Sequence, residues 1–329
     1  MTVADVSPPQ MLWGLITVHA IARCIHVMAE AGIADALDEL PASASELAAR
    51  TGLNADALAR MLRLLAAHGV FAFGPSGYAH TDASRLLRSD HPQSLRSFAR
   101  MIGMPVIWQG FTDLDYVART GKPAKEMADH VAYFASHPNE ASLFNQAMVG
   151  KSAAVIPLIV DAYDFTAFRT IADIGGGRGH LLQAILRRAP LATGILFDLP
   201  HVITDATDVA SDRLKLQAGD FFRDPLPIAD AYVLMEVIHD WDDEKAANIL
   251  ASVRRAAPPS ARVLIVEALV SESPGPHFGK ELDIIMLAVT GGRERARSEY
   301  ERLLGATGFR MQRVIPTPSQ YSVVEAVTV

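Results

Sequence analysis

The sequence predicts an α/β fold: a mostly parallel, helix-wrapped sheet preceded by a mainly helical, winged-helix-like region. After Phe168, short apolar runs alternate with helical stretches, the pattern of parallel strands joined by helical crossovers. Before residue 96 the order is helix, turn, helix, hairpin, the outline of a winged helix. At a usual domain size of roughly 100 to 200 residues, more than one domain is expected. The changes of pattern divide the 329 residues into a winged-helix-like dimerisation region 1–95, connecting helices 96–165 and an α/β domain 166–329.

From Gln10 to Leu40 the apolar residues Leu12, Leu15, Ile16, Ile21, Ile25, Val27 and Met28 are too dense for a solvent-facing helix. Interruption by His19, Arg23 and His26 makes the stretch too polar for lipid, so a helix buried between the subunits of a homodimer is expected. The start, MTVADVSPPQ, has no basic region, and the apolar run Met11–Ala22 stops at Arg23, short of a bilayer span. Neither a secretory signal nor a membrane anchor is expected. Ser43 with Glu46 predicts a capping box for a helix to Arg50, Thr51-Gly52 a turn, and Asn54 the cap of a helix ending at Gly69. Val70–Phe73 and Tyr78–His80, around Gly74-Pro75-Ser76-Gly77, predict a hairpin.

A winged helix invites a DNA-binding reading, which the charges oppose. Residues 41–68 hold Arg50, Arg60 and Arg63 against Glu46 and Asp56, too few cations for a recognition helix. The whole chain carries 30 Lys and Arg against 37 Asp and Glu, so no overall basic field draws nucleic acid or anionic lipid. Half the residues are hydrophobic and only 20% charged, which favours apolar surface covered by a partner. The lone Cys24 fits the cytoplasm and cannot build a thiolate metal site, so no metal is expected.

Residues 95–165 read as helices carrying Phe98, Met101, Met104, Trp108, Phe111, Met127, Phe134, Phe144 and Met148, broken at Gly121-Lys122-Pro123. Such side chains serve either a connecting core or a wall for a flat ligand. Strands are then expected at Thr170–Ile174, Gly194–Phe197, Leu214–Gln217, Ala231–Met235 and Arg262–Val266. A closing antiparallel pair is expected at Phe309–Ile315 and Tyr321–Val327, after a helix starting at Ser298 with Glu301 in its capping box.

The chemistry gathers after the strands. Asp173-Ile174-Gly175-Gly176-Gly177-Arg178-Gly179 puts glycines at a strand-to-helix turn, where backbone can approach a ligand. Counting from Gly175, the sixth position is His180, so the spacing fails for a dinucleotide. An acid before the turn repels phosphate but suits the ammonium or sulfonium end of S-adenosylmethionine. Asp198, 25 residues after Asp173, can accept ribose hydroxyls; Asp220 and Phe221 offer a carboxylate and a ring face to adenine. His239 follows the fourth run, and Glu267 at the end of the fifth is expected within reach of one imidazole nitrogen, fixing its tautomer. A divalent site of His239, Asp240, Asp242 and Asp243 is the weaker reading, since adjacent residues point apart.

Together DIGGGRG, FDLP, GDFF, EVIHDWDDE, VLIVEA and DIIMLAVTGGRER resemble the S-adenosylmethionine-dependent small-molecule O-methyltransferases, which include plant caffeic-acid and flavonoid enzymes and bacterial antibiotic and pigment tailoring enzymes. The resemblance spans nearly the whole chain. It implies a seven-stranded Rossmann-like sheet with an antiparallel C-terminal strand, a dimerisation domain, and methyl transfer to the hydroxyl of a small aromatic secondary metabolite. It implies His239 as general base, with Glu267 and Glu294 as flanking acids. Asp173, Gly175, Gly177, Asp198, Asp220, Phe221 and, more weakly, Ser152 take the cofactor contacts. Phe144, Met148 and Met286 are implied in the acceptor pocket, with Asp240 beside the base. Where many plant members carry a lysine four residues before the histidine, this chain has Met235. Two alternatives stand: the same fold used for N- or C-methylation or a reaction without methyl transfer, and a winged-helix ligand-sensing regulator.

Overall fold

The computed structural model describes residues 7–125, 133–134 and 136–329; the expected helical Met127 lies outside them. The chain forms two compact units: residues up to Trp108 with Phe134–Lys151, and Gln109–Tyr133 with Ser152–Val329.

In the first unit, Ser43 accepts from the Glu46 N–H while Glu46 Oε2 accepts from Ser43 N, the expected capping box of helix Ala44–Thr51. Asn54 Oδ1 accepts from Ala57 N and starts helix Ala55–Ala67. The apolar faces of these helices put Leu47, Leu58, Leu62 and Leu65 into one core with Met28, Ile33, Leu37, Phe71 and Tyr78. Strands β1 (Phe71–Gly74) and β2 (Gly77–His80) form the hairpin. Gly77 is required there: a Cβ would stand 2.5 Å from the Ala42 carbonyl oxygen, and its φ is +109°.

One N-terminal expectation is corrected. The apolar run stops at Arg23, but the helical, mainly apolar chain continues to Ala31; the Arg23 guanidinium donates to the Gly103 carbonyl at 2.8 Å and sits 5.7 Å from the Trp108 ring centroid. Helices Pro8–Thr17 and His19–Ala31 follow one another. By length and composition residues 8–31 could cross a membrane, as could helix Pro138–Ala162. From Val155 to Val160 that second helix packs into the core of the sheet domain, as core helices of soluble proteins do. In the first helix Met11, Leu12, Trp13, Leu15 and Ile16 are exposed on this single chain.

The second unit is built on strands β3 (Thr170–Ile174), β4 (Thr193–Asp198), β5 (Leu214–Ala218), β6 (Ala231–Met235), β7 (Arg262–Glu267), β8 (Phe309–Pro316) and β9 (Ser322–Thr328). Their order across the sheet is β5-β4-β3-β6-β7-β9-β8. All pairings are parallel except those of β9, which runs against both β7 and β8. The period of two sends alternate residues to opposite cores. Ile171, Val233, Leu264 and Val266 meet Leu182 and Ile185 on one face. Ala172, Ile174, Tyr232, Leu234, Val263 and Ile265 meet Ile249, Leu250 and Val253 on the other. Strand order reverses between β3 and β6, and in such sheets the crevice outside the strand ends at that point receives the ligand.

The last helix is also corrected: it runs Arg297–Ala306, and Glu299 rather than Glu301 accepts from the capping N–H, that of Ala296, at 2.8 Å. Glu301 lies two residues past the N3 position and does not reach it.

Candidate active site

The strands nearest the reversal end level with one another: Asp173 and Ile174 on β3 stand beside Leu196 and Phe197 on β4, and Asp198 beside Ala218. Gly175, Gly177 and Gly179 turn the chain into helix His180–Arg188 with φ of +69°, +58° and +73°. Gly176 is tight for another reason, since its Cβ would lie 2.5 Å from Asp173 Cγ and 2.6 Å from Leu196 Cδ1.

Asp173 is 1% exposed, and neither of its oxygens has a hydrogen-bond partner among the described residues. Burial, and then the charge of Asp198, push its carboxyl up to about 7. An orphaned buried acid beside an open Gly-rich turn is a cradle for a cation-bearing ligand, which fits the amino-acid end of S-adenosylmethionine. Asp198 accepts from Gly177 N at 2.8 Å and from Leu199 N at 2.7 Å, which orients its carboxylate at the tip of β4. Burial nevertheless raises its pKa. Asp220 Oδ1 accepts from Phe222 N at 2.9 Å. The Phe221 ring lies 3.8 Å from where a Gly175 Cβ would be, so it faces the turn.

After β6 the chain makes a short turn, Ile238–Asp240, that buries His239. Its Nδ1 lies 2.6 Å from Glu294 Oε1, and its backbone N donates to Glu267 Oε1 at 3.0 Å. Glu294 flanks the ring as expected, whereas Glu267 at the end of β7 reaches the main chain of His239 rather than an imidazole nitrogen. The physical reason is direction, because the end of a neighbouring strand meets the backbone of the turn, whereas residues 292–295 pass beside the ring itself. Glu267 Oε2 accepts from the Tyr300 hydroxyl, and Asp283 Oδ1 accepts from Glu294 N at 2.9 Å. Burial alone would lower the His239 pKa, but Asp240, the hydrogen bond to Glu294 and the charges of Glu267 and Glu294 outweigh it and raise it to about 10. Burial raises that of Glu267. Asp240 Oδ1 stands 3.7 Å from Nε2, beyond hydrogen-bond distance.

The alternative cation site is not assembled. Asp242 caps helix Asp243–Ala256 through Lys245 N, Asp243 pairs with Arg293 and Arg295, and among the described residues no His, Cys, Asp and Glu group has metal-holding geometry.

Ser152 and Met286 lie in the second unit; Met286 packs on the sheet core at the end of helix Phe278–Val289. Phe144 and Met148 belong to the first unit, where the Phe144 ring lies 5.1 Å from that of Phe134. Sequence reasoning missed Trp241 and Phe222, which meet edge to face at 4.9 Å beside Phe221, and also Asp283, Arg295 and Tyr300. Trp241 had a signal, its place in HDW; the others had none, since only the fold brings them here.

A sheet of this order, with acids at successive strand ends and no pyrophosphate spacing, is that of an S-adenosylmethionine-dependent methyltransferase. The chain belongs to the O-methyltransferase family: the O-methyltransferase domain matches residues 113–310 and the O-methyltransferase dimerisation domain residues 13–90. It is 41% identical over 325 residues to the phenazine O-methyltransferase PhzM of Lysobacter antibioticus, covering 96% of this chain and 95% of that one. Among solved structures it is similar to CalO1, a methyltransferase of calicheamicin biosynthesis, in its SAH-bound form. That likeness has a TM-score of 0.88 at 36% identity and covers 99% of this chain and 100% of the other. It is also similar to the O-methyltransferase NcsB1 from neocarzinostatin biosynthesis, in complex with S-adenosylmethionine and 2-hydroxy-5-methyl naphthoic acid. There the TM-score is 0.78 at 30% identity, over 94% of this chain and 96% of the other. The chain is an S-adenosylmethionine-dependent O-methyltransferase.

Proposed function

We propose that the enzyme methylates a hydroxyl of a small planar aromatic metabolite, with His239 as general base oriented by Glu294. The observation that carries this is the buried contact of 2.6 Å between His239 Nδ1 and Glu294 Oε1. With Nδ1 engaged, Nε2 is the nitrogen that accepts the hydroxyl proton. S-adenosylmethionine, when bound, supplies an electrophilic methyl on a sulfonium whose charge vanishes on transfer and meanwhile opposes a second cation on the imidazole. A phenol titrates near pH 10, far above an ordinary imidazole at about 6.5. The acids around His239 narrow that gap, so the ring takes the proton as the oxygen attacks, and Glu294 stabilises the imidazolium. Glu267 holds the main chain of the base.

In the same reading Asp173 pairs with the ammonium, and Asp198 accepts from ribose. Asp220 and Phe221 meet adenine at the turn of Gly175 and Gly177, with Ser152 a further contact. Asp240 and Met286 face the acceptor. The protein works as a cytoplasmic homodimer, which the exposed apolar side chains within residues 13–90 support.

Labelled S-adenosylmethionine with a panel of phenols, naphthols, polyketides and carotenoid alcohols tests the reaction; label entering no hydroxyl would reject it. His239→Ala should lower turnover by roughly 10² to 10⁴ while cofactor affinity holds. In the parent enzyme, turnover of a phenol should climb from pH 7 towards about 10 as the ring loses its proton. Wild-type turnover by His239→Ala on a phenol of pKa about 10 at neutral pH would end the general-base assignment.

A further inference from the structure

Arg295 is a fully buried cation, and it makes five hydrogen bonds, as many as its guanidinium has N–H donors. Nη1 donates to the carbonyls of Ile238 at 3.1 Å and Arg293 at 3.3 Å. Nη2 donates to the Trp241 carbonyl at 2.9 Å and to Asp243 Oδ1 at 2.8 Å, and Nε donates to the same oxygen at 3.0 Å. Three of these acceptors are main-chain oxygens: one immediately before His239, one two residues after it, and one immediately before Glu294. The two segments are pinned again by Arg293 N, which donates to the His239 carbonyl at 2.7 Å. They approach so closely that a Cβ on Gly292 would stand 2.1 Å from that same oxygen. A buried guanidinium is costly unless its whole fork is satisfied, and here the satisfaction comes from the two stretches of chain that carry His239 and Glu294.

We propose that Arg295 is a positioning residue for the methyl-transfer reaction: its guanidinium splints the turn of His239 to the segment of Glu294, fixing the Nδ1 contact from which the base works. This rests on the general-base reading of His239. A lysine has three donors on one point and cannot span three carbonyls and a carboxylate, so Arg295→Lys keeps the charge and removes the splint. The groups facing the ring keep their chemical identity in that variant: Asp240 on its own turn, Glu267 from β7 with Tyr300 behind it, and Glu294 backed by Asp283.

The experiment is a double-mutant cycle in the full-length protein, read as kcat, KM for S-adenosylmethionine and the pH profile of kcat on one phenol. Arg295→Lys alone should lower kcat by about ten- to a hundredfold with KM for the cofactor within about twofold. Its rising limb should move about one unit to lower pH as the Glu294 contact loosens. In a His239→Ala background the same substitution should change the residual rate less than about twofold, because the group it positions is gone. Asp243→Ala, at an exposed position, removes the acceptor of two of the fork's donors and should lower kcat about three- to tenfold with a limb shift in the same direction. If Arg295→Lys does not fold, Asp243→Ala decides alone.

An unchanged kcat and pH profile in the folded variants overturns the proposal. So does an equal loss in both backgrounds when His239→Ala is itself impaired, for then Arg295 acts independently of the base. Wild-type turnover by His239→Ala would instead remove the general-base reading and this proposal with it.

Discussion

Asp173 sits in the β3 strand end with its carboxyl raised to about 7 by burial and by the Asp198 charge. Its folded pKa exceeds the unfolded value of about 3.9. The stability tied to its proton is therefore complete below about pH 4 and is lost as pH rises through about 7. A cationic ligand reverses this preference, since it needs the ionised acid. S-adenosylmethionine should bind with release of up to one proton below pH 7, and its affinity should weaken by up to about tenfold per unit as pH falls further. Calorimetry in two buffers of different ionisation enthalpy reads that proton, and Asp173→Asn should bind more weakly with no proton released. Equal heats in both buffers at pH 6 would place the ammonium elsewhere. The placement of Asp173, Asp198 and Asp220 at neighbouring strand ends was legible in the sequence because each lies at or just past the end of an apolar run, and parallel strands deliver their ends to one edge. That Glu267 meets the main chain of His239 rather than its ring was not legible. Chain order says which strand ends are neighbours, but whether a carboxylate meets a ring or a main-chain N–H depends on the path of residues 290–295.

For single elements, caps and turns carried most of the information. Ser43, Glu46 and Asn54 act where their spacing put them, because an N-cap works through bonds three residues long. Ser298 and Glu301 offered the same spacing, but the chain enters that helix early and Glu299 takes the N–H instead. The β3 turn shows what a close approach imposes. Gly176 needs no unusual φ, yet the atom that a side chain would add is already occupied by Asp173 and Leu196. Gly176→Ala should destabilise the protein by about 1 to 3 kcal/mol and weaken cofactor binding, because the turn or the Asp173 side chain must shift. Thermal melts with and without S-adenosylmethionine check this; a melting curve and ligand-induced shift equal to the parent's would show that the turn yields freely.

At the scale of the whole molecule, the apolar side chains of helix Pro8–Thr17 are left uncovered by the described residues of one chain. Trp13 is 72% exposed and Leu15 63%, on a helix with no buried residue. Contiguous apolar surface of this kind marks an interface, and the segment overlaps the matched dimerisation domain from residue 13. Sedimentation should give a dimer at micromolar concentration, with an interface burying more than roughly 2,000 Å² in total. Removing residues 1–40 should yield aggregated or poorly soluble protein; a well-behaved monomer of the parent chain would refute the assignment. The density of apolar residues made this face legible in the sequence. The return of Arg23 to Gly103 was not, because a carbonyl 80 residues away leaves no trace in local pattern.

A ribosome emits strands in chain order, but this sheet does not use them in that order. β9 comes out last and is inserted between β7 and β8, both of which emerged before it. Until Ser322–Thr328 arrive, β7 presents a bare edge of unpaired main-chain groups and β8 has no neighbour to join. The sheet therefore closes only after its seventh strand clears the exit tunnel, and the β7 edge is exposed to aggregation from its own emergence until then. A nonsense change between residues 301 and 321 should give insoluble protein rather than a shortened enzyme, although it spares every residue of the site described above.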